Sequence, residues 1–192
     1  MAQRFLSYST LFVAILLIIL LHYFGRIEPL VASLSTNDHE TRRIRNICSE
    51  TLEPFECFKC ITADPSRDSN DTPELIHSLL YCLYSEANGA HVNADLLSQN
   101  ATIPILKNKL SRCSSLLFDA ANLAVDAMSS MESNKYVQAW DFSKTARRSI
   151  FGCAKQFLGE TNPTIPSSVL QHMIPAKHLY DSMHILFQLI VR

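Results

Sequence analysis

The chain has 192 residues, a formal net charge of -1 and only four glycines. That length suits a single domain, and the near-neutral charge removes the broad basic field that nucleic-acid binding requires. Scarce glycine beside plentiful alanine, leucine and serine disfavours turn-rich sandwiches and barrels and points to long helices, an all-α class.

The first elements in the chain read as targeting sequence. Arg4 precedes an apolar run over residues 11–21, and small residues follow at Val31, Ala32 and Ser33. This is the layout of a secretory signal peptide over residues 1–33, with an apolar core shorter than an ordinary membrane span. His22, Tyr23 and Phe24 prolong the greasy stretch, so an uncleaved signal anchor is the alternative. Either route delivers the remainder to an oxidising compartment, and no stable membrane span is expected after cleavage. Two N-glycosylation acceptor sequences fit that route, at Asn70 and Asn100, whereas Asn162 is followed by a proline that closes it.

Residues 34–70 read as an arm and a helical hairpin. The polar stretch 35–45, with Arg42, Arg43 and Arg45, reads as a mobile arm leading into a short helix, a solvated face unless an acidic partner docks there. Cys48 and Cys57 then flank Pro54, where one helix ends and another begins. A polar linker over 64–71 follows.

Four long amphipathic patterns fill residues 71–192. Apolar residues recur at alternating steps of three and four at Ile76, Leu80, Leu83, Ala87, Ala90, Ala94 and Leu97, and again at Leu106, Leu110, Cys113, Leu117, Ala120, Ala124, Ala127 and Met131. A rougher third set comprises Ala139, Phe142, Ala146, Ile150, Cys153 and Phe157. The fourth is Val169, Met173, Ala176, Tyr180, Met183, Phe187 and Ile190, with Pro175 predicting a kink or a late start. The boundary residues agree: Asp71, Thr72, Pro73 and Glu74 open the first helix, and Thr102 with Pro104 the second. Ser133 or Asn134 separates the second from the third, and residues 159–166 separate the third from the fourth. Short links make neighbours antiparallel, giving an up-down-up-down four-helix bundle preceded by a disulfide-stapled helical hairpin. The apolar tail 189–192 is expected to continue the last stripe into the core.

Six cysteines lie outside the leader, and many pairings are formally open. Cys113 and Cys153 lie about twenty residues either side of the turn near Asn134, so they reach the same height on two antiparallel helices and suit a cross-helix bond. Cys48 and Cys57 suit a staple of the hairpin. Cys60, one turn beyond Cys57, either competes for Cys48 or bonds Cys82. The Cys60 to Cys82 bridge is preferred, with two free buried thiols as the alternative.

No catalytic constellation is present: the sequence lacks a Gly-x-Ser-x-Gly elbow, a glycine-rich phosphate loop and a His-Glu-x-x-His helix. His172, His178 and His184 recur every six residues, which turns them onto different faces and defeats a two-ligand helical clamp, so the histidines read as surface or boundary residues. Neither an enzyme nor a metal or other cofactor is expected. Asn134, Lys135, Tyr136, Trp140 and Asp141 instead put aromatic side chains with flanking charges at a helix start, a composition favoured at protein-binding hot spots.

The run Ile47-Cys48-Ser49-Glu50-Thr51-Leu52-Glu53-Pro54-Phe55-Glu56-Cys57, with Cys113 and Cys153 further on, resembles the plant invertase and pectin methylesterase inhibitor family. The resemblance implies one inhibitor domain over about residues 40–192, a small extracellular or vacuolar helical bundle that forms a one-to-one complex with its target and obstructs the substrate cleft. The leading expectation is a secreted inhibitor of pectin methylesterase in the cell wall, supported by Tyr136 and Trp140. The rival is an inhibitor of invertase, whose inhibitors carry a Pro-Lys-Phe triplet where this chain has Asn134-Lys135-Tyr136. A third reading is a structural or signalling bundle without inhibitory surface, suggested by the departure from the family pattern over residues 144–148. The protein is expected to be monomeric.

Overall fold

The computed structural model describes residues 41–51, 53–63, 71–159 and 163–191, so the leader, Asn70 and most of the polar linker lie outside the described residues. The chain divides into two units, residues 1–42 and 43–192; of the first, only Thr41 and Arg42 are described, and both are helical. Among the described residues six helices follow one another: α1 (described over 41–49), α2 (Pro54–Thr62), α3 (Thr72–Asn100), α4 (Pro104–Glu132), α5 (Tyr136–Lys155) and α6 (Ser167–Ile190). No strand occurs among the described residues.

Helix α1 corrects the reading of residues 41–45 as part of an arm, because the chain is helical there and carries all three arginines on that helix, while residues 35–40 lie outside the described residues. Its apolar face explains this: Ile44 and Cys48, one turn apart, are buried, and Ile47 packs beside them. The break before Pro54 lets α2 start with a proline in its first turn, where a missing N–H costs nothing. A disulfide joins Cys48 to Cys57 across the break with their Cα atoms 5.5 Å apart, and Arg45 lies 5.6 Å from the Phe58 ring centroid. A second disulfide, Cys60 to Cys82, fastens α2 to α3.

The bundle packs α3 against α4 and α6, and α4 against α5, while α5 and α6 meet on a narrower front. Nearly every stripe residue is buried; Leu97, Leu106, Phe142 and Ile190, toward the ends of the stripes or on the rougher third one, are partly covered. Counting outward from the link at 101–103 sets Leu80 and Leu83 level with Ala124 and Ala120, and Ala87 and Ala94 level with Leu117 and Leu110. Large side chains of one helix thus stand level with small ones of the other, a pairing that lets two backbones approach closely. The third disulfide, Cys113 to Cys153, crosses from α4 to α5 with Cα atoms 4.3 Å apart and both residues fully buried.

The boundaries differ in detail from the sequence reading. Asp71 holds the N-cap position of α3 but makes no side-chain capping bond, and the residue before α4 is Ile103 rather than Thr102. Pro73 and Pro104 start these helices, since a ring with fixed φ is preorganised for the first turn. Helix α6 neither starts late nor stops at Pro175: it runs from Ser167 through the proline, which removes one backbone bond to the carbonyl of Gln171. The partners that hold it there are the buried Val169, Met173 and Ala176 on either side.

The histidines do not all lie at the surface. His77 is buried, and its Nε2 lies 3.3 Å from Glu132 Oε1, joining the start of α3 to the end of α4. His172 Nδ1 lies 2.8 Å from Glu86 Oε2, and His178 Nε2 lies 3.6 Å from Glu53 Oε1, so each of the three meets a carboxylate from another part of the chain. A carboxylate partner satisfies a ring nitrogen drawn in from solvent, and periodicity alone does not reveal it.

Candidate functional site

The most distinctive local structure lies where α4 gives way to α5. Asn134 has φ 56°, in the left-handed region, its N–H donates to the carbonyl of Met131 at 2.9 Å, and the N–H of Lys135 donates to that of Ser130 at 2.8 Å. These two bonds form a Schellman motif, which satisfies carbonyls that the last turn would leave open. Asparagine tolerates this backbone conformation better than most residues. The Tyr136 hydroxyl donates to Asn134 Oδ1 at 2.7 Å, fixing the phenol over the turn.

The turn projects its side chains into solvent. Asn134, Lys135 and Asp141 are exposed and Tyr136 is half-buried. A shallow hollow of about 490 Å³ opens here, lined by Asn134, Lys135, Tyr136 and Asp141 together with Val137, Gln138 and the last residues Ile190 and Val191. A smaller one of about 240 Å³, with Asp126, Ser133 and Phe142 in its wall, also has Lys135 and Gln138 in its lining. Lys135 therefore borders both, and its ammonium is available to an acidic partner.

Four of the five sequence-derived residues, Asn134, Lys135, Tyr136 and Asp141, share this surface. Trp140 does not line it. The indole is half-buried, stacked on Phe187 with centroids 6.2 Å apart and tilted against His184 at 5.7 Å, while Lys144 Nζ stands 4.7 Å above the ring. Its Nε1 is buried and makes no hydrogen bond to the protein. Trp140 thus joins α5 to α6, and Lys144, which also pairs with Asp141 at 2.6 Å, shields it from solvent. The residues that sequence reasoning missed are Val137 and Gln138, which are exposed, and Ile190 and Val191. The tail was expected to pack in the core, yet Leu189 is exposed and Ile190 and Val191 are half-buried. Leu189 falls off the stripe defined by Phe187 and Ile190, so the last turn of α6 becomes a wall of the hollow.

Beside this surface the front between α5 and α6 is lined with cations resting on aromatic rings. The Arg147 guanidinium lies 4.9 Å from the ring centroids of both Phe151 and Tyr180, with Asp181 at 4.0 Å from its Nη2. Burial raises the Tyr180 hydroxyl above its ordinary pKa, a shift that the positive charges of Arg147 and Lys144 partly oppose. Among the described residues no three His, Cys, Asp or Glu side chains gather as metal ligands. The surface offers charge, aromatic area and hydrogen-bonding groups on a stiff helical frame, which suits recognition of another macromolecule.

Residues 42–184 match the family described as plant invertase/pectin methylesterase inhibitor. The chain is 27% identical over 182 residues to a pectinesterase inhibitor of Actinidia deliciosa, covering 95% of this chain and 94% of that protein. It is 30% identical over 89 residues to a putative pectinesterase/pectinesterase inhibitor of Arabidopsis thaliana, a match spanning only 9% of that longer protein. In fold it is similar to a pectin methylesterase inhibitor from Arabidopsis in mutant form, with a TM-score of 0.63 at 17% identity over 74% of this chain and 93% of the other. A second crystal structure of such an inhibitor from Arabidopsis thaliana gives a TM-score of 0.59 at 16% identity, over 78% and 96% of the two chains. With its stapled hairpin and helical bundle, and with most of its length matched, the chain belongs to the plant invertase/pectin methylesterase inhibitor family, a family of enzyme inhibitors rather than enzymes.

Proposed function

We propose that this protein is a secreted inhibitor that binds pectin methylesterase one-to-one and blocks its substrate cleft, acting in the cell wall as a monomer. The observation that carries the reading is the alignment with the Actinidia deliciosa pectinesterase inhibitor along nearly the whole of both chains. The surface at the α4–α5 turn supports it: Lys135 and Tyr136 stand at a turn fixed by the Schellman bonds and Asp141 on the helix that follows, so little backbone conformational entropy is lost when a partner binds there. Three disulfides suit life in an oxidising compartment, and among the described residues no helix is long and apolar enough to cross a membrane. The leader over residues 1–33 belongs to the same proposal.

One observation favours a second target. Lys135 followed by an aromatic residue sits at the tip between α4 and α5, where inhibitors of invertase carry a lysine and a phenylalanine, so invertase in the wall or vacuole is the competing assignment.

The test is titration of purified full-length protein into pectin methylesterase and, separately, into invertase, following residual activity and complex size by light scattering. Inhibition of pectin methylesterase with an equimolar endpoint is the expected result. Inhibition of invertase alone would transfer the assignment, and inhibition of neither would leave a bundle without an inhibitory surface.

A further inference from the structure

At the end of the bundle away from the Asn134 turn, α3 finishes at Asn100 and the chain crosses to α4 through residues 101–103. Asn100, Ala101 and Thr102 form an acceptor sequence for N-linked glycosylation. Asn100 and Thr102 are exposed, and the backbone at Ala101 is extended, with φ -71° and ψ 124°, so the tripeptide leaves the helix as it is read. The large apolar side chains Leu96, Ile103 and Ile105 surround it in sequence and are 52%, 59% and 63% exposed. Three such residues within five positions of Asn100 expose large apolar side chains around the tripeptide, the kind of surface that a secreted monomer ordinarily covers.

We propose that Asn100 carries an N-linked glycan and that this glycan is the cover of the Leu96, Ile103 and Ile105 patch. The proposal rests on the secretory route in the proposed function. In the reaction the amide nitrogen of Asn100 attacks the anomeric carbon of a lipid-linked oligosaccharide diphosphate. The bond from that carbon to the diphosphate oxygen breaks, the nitrogen loses one proton, and the lipid diphosphate leaves, with no change of oxidation state. Transfer takes place on the nascent chain, before α3 closes around its own carbonyls. In the folded protein Nδ2 donates to the carbonyl of Leu96 at 2.8 Å. A glycosylated amide keeps one N–H, so Nδ2 retains a donor beside the Leu96 carbonyl after modification.

Position separates this site from target recognition. The 29 residues of α4 span about 43 Å between the Asn100 end and the Asn134 turn. A glycan at Asn100 therefore leaves the surface around Lys135 open. Asn162, whose sequence is closed by Pro163, stays bare.

The experiment expresses the full chain in a eukaryotic secretory host and compares parent, Asn100→Gln and Thr102→Ala by peptide mass mapping before and after enzymatic deglycosylation. The expected result is oligosaccharide mass on the peptide containing Asn100 in the parent and its loss in both variants. Binding of an apolar dye should rise when the parent is deglycosylated, and inhibition of the target enzyme should be the same for parent and Asn100→Gln. A secreted, disulfide-bonded protein with bare Asn100 overturns the proposal while leaving the inhibitor reading intact. Dye binding unchanged by deglycosylation overturns the covering role. A chain retained in the cytosol with reduced cysteines sinks the proposal and the secretory reading together.

Discussion

The imidazole of His172 fills the space that a side chain at Gly89 would need: a Cβ on Gly89 would lie 2.9 Å from its Cε1 and Nδ1. From that position Nδ1 reaches Glu86 one turn earlier on α3. Glycine in a helix costs about 1 kcal/mol relative to alanine, so Gly89→Ala should stabilise an otherwise open site. Here the new methyl group expels the ring and breaks its pairing with Glu86. Gly89→Ala should raise stability by about 1 kcal/mol only when His172 is already alanine, and should be neutral or destabilising in the parent. Urea unfolding of the two single variants and the double variant measures the coupling; equal effects in both backgrounds would refute the contact.

Tyr180 gives a prediction at high pH. Burial raises its pKa in the folded state, so above pH 10 the unfolded chain ionises first and binds fewer protons than the folded one. Its contribution is therefore fully present below the unfolded pKa and is lost as pH rises through the folded value. Tyr180→Phe keeps the ring beneath Arg147 and removes the titration. The stability difference between parent and Tyr180→Phe should be flat up to about pH 9 and then shift against the parent, as read by denaturant midpoints from pH 8 to 11.

The Cys113 to Cys153 bond closes the longest loop of the three, with a sequence separation of 40 against 9 for Cys48 to Cys57. On chain-entropy grounds their losses should be on the order of 4 and 2.7 kcal/mol respectively. Paired Cys→Ala variants compared by chemical denaturation under non-reducing conditions give the ranking; a greater loss at Cys48 and Cys57 would show that native-state packing of the hairpin, rather than loop closure, sets the order.

Lys135 and Trp140 are five residues apart and should answer differently. Lys135 is exposed at the turn, so Lys135→Glu should leave the melting temperature within a degree or two while weakening target inhibition by about tenfold, on the order of 1.4 kcal/mol. Trp140 packs on Phe187, so Trp140→Ala should cost about 3 to 5 kcal/mol of stability. Thermal unfolding alongside inhibition assays separates them, and an unchanged melting temperature in Trp140→Ala would return the indole to the contact surface.

The helices were legible because burial writes itself into spacing: Ile76 to Ala94 and Leu110 to Met131 follow the period and are buried. The turn at Asn134 was also legible, since asparagine between two amphipathic stretches marks a helix end. The part of the site contributed by Ile190 and Val191 was not, because it depends on where the far end of α6 arrives in space. Nor was the placement of Trp140, whose composition suits a binding surface and a helix seam equally. His77, His172 and His178 hid for a similar reason: their partners Glu132, Glu86 and Glu53 are remote in sequence, so no local pattern reports them.

The sulfur bridges are unevenly shared. They tie α1 to α2, α2 to α3 and α4 to α5, whereas the six cysteines leave Ser167–Ile190 without one. The final helix therefore has no covalent anchor beyond its own polypeptide link and depends on side chains such as Phe187, Met183 and His172 to stay in its berth. Fraying should begin there, with amide deuteration on α6 outpacing that of its three strapped neighbours, and a protease cut before Ser167 would turn this segment into a peptide that denaturant can wash away.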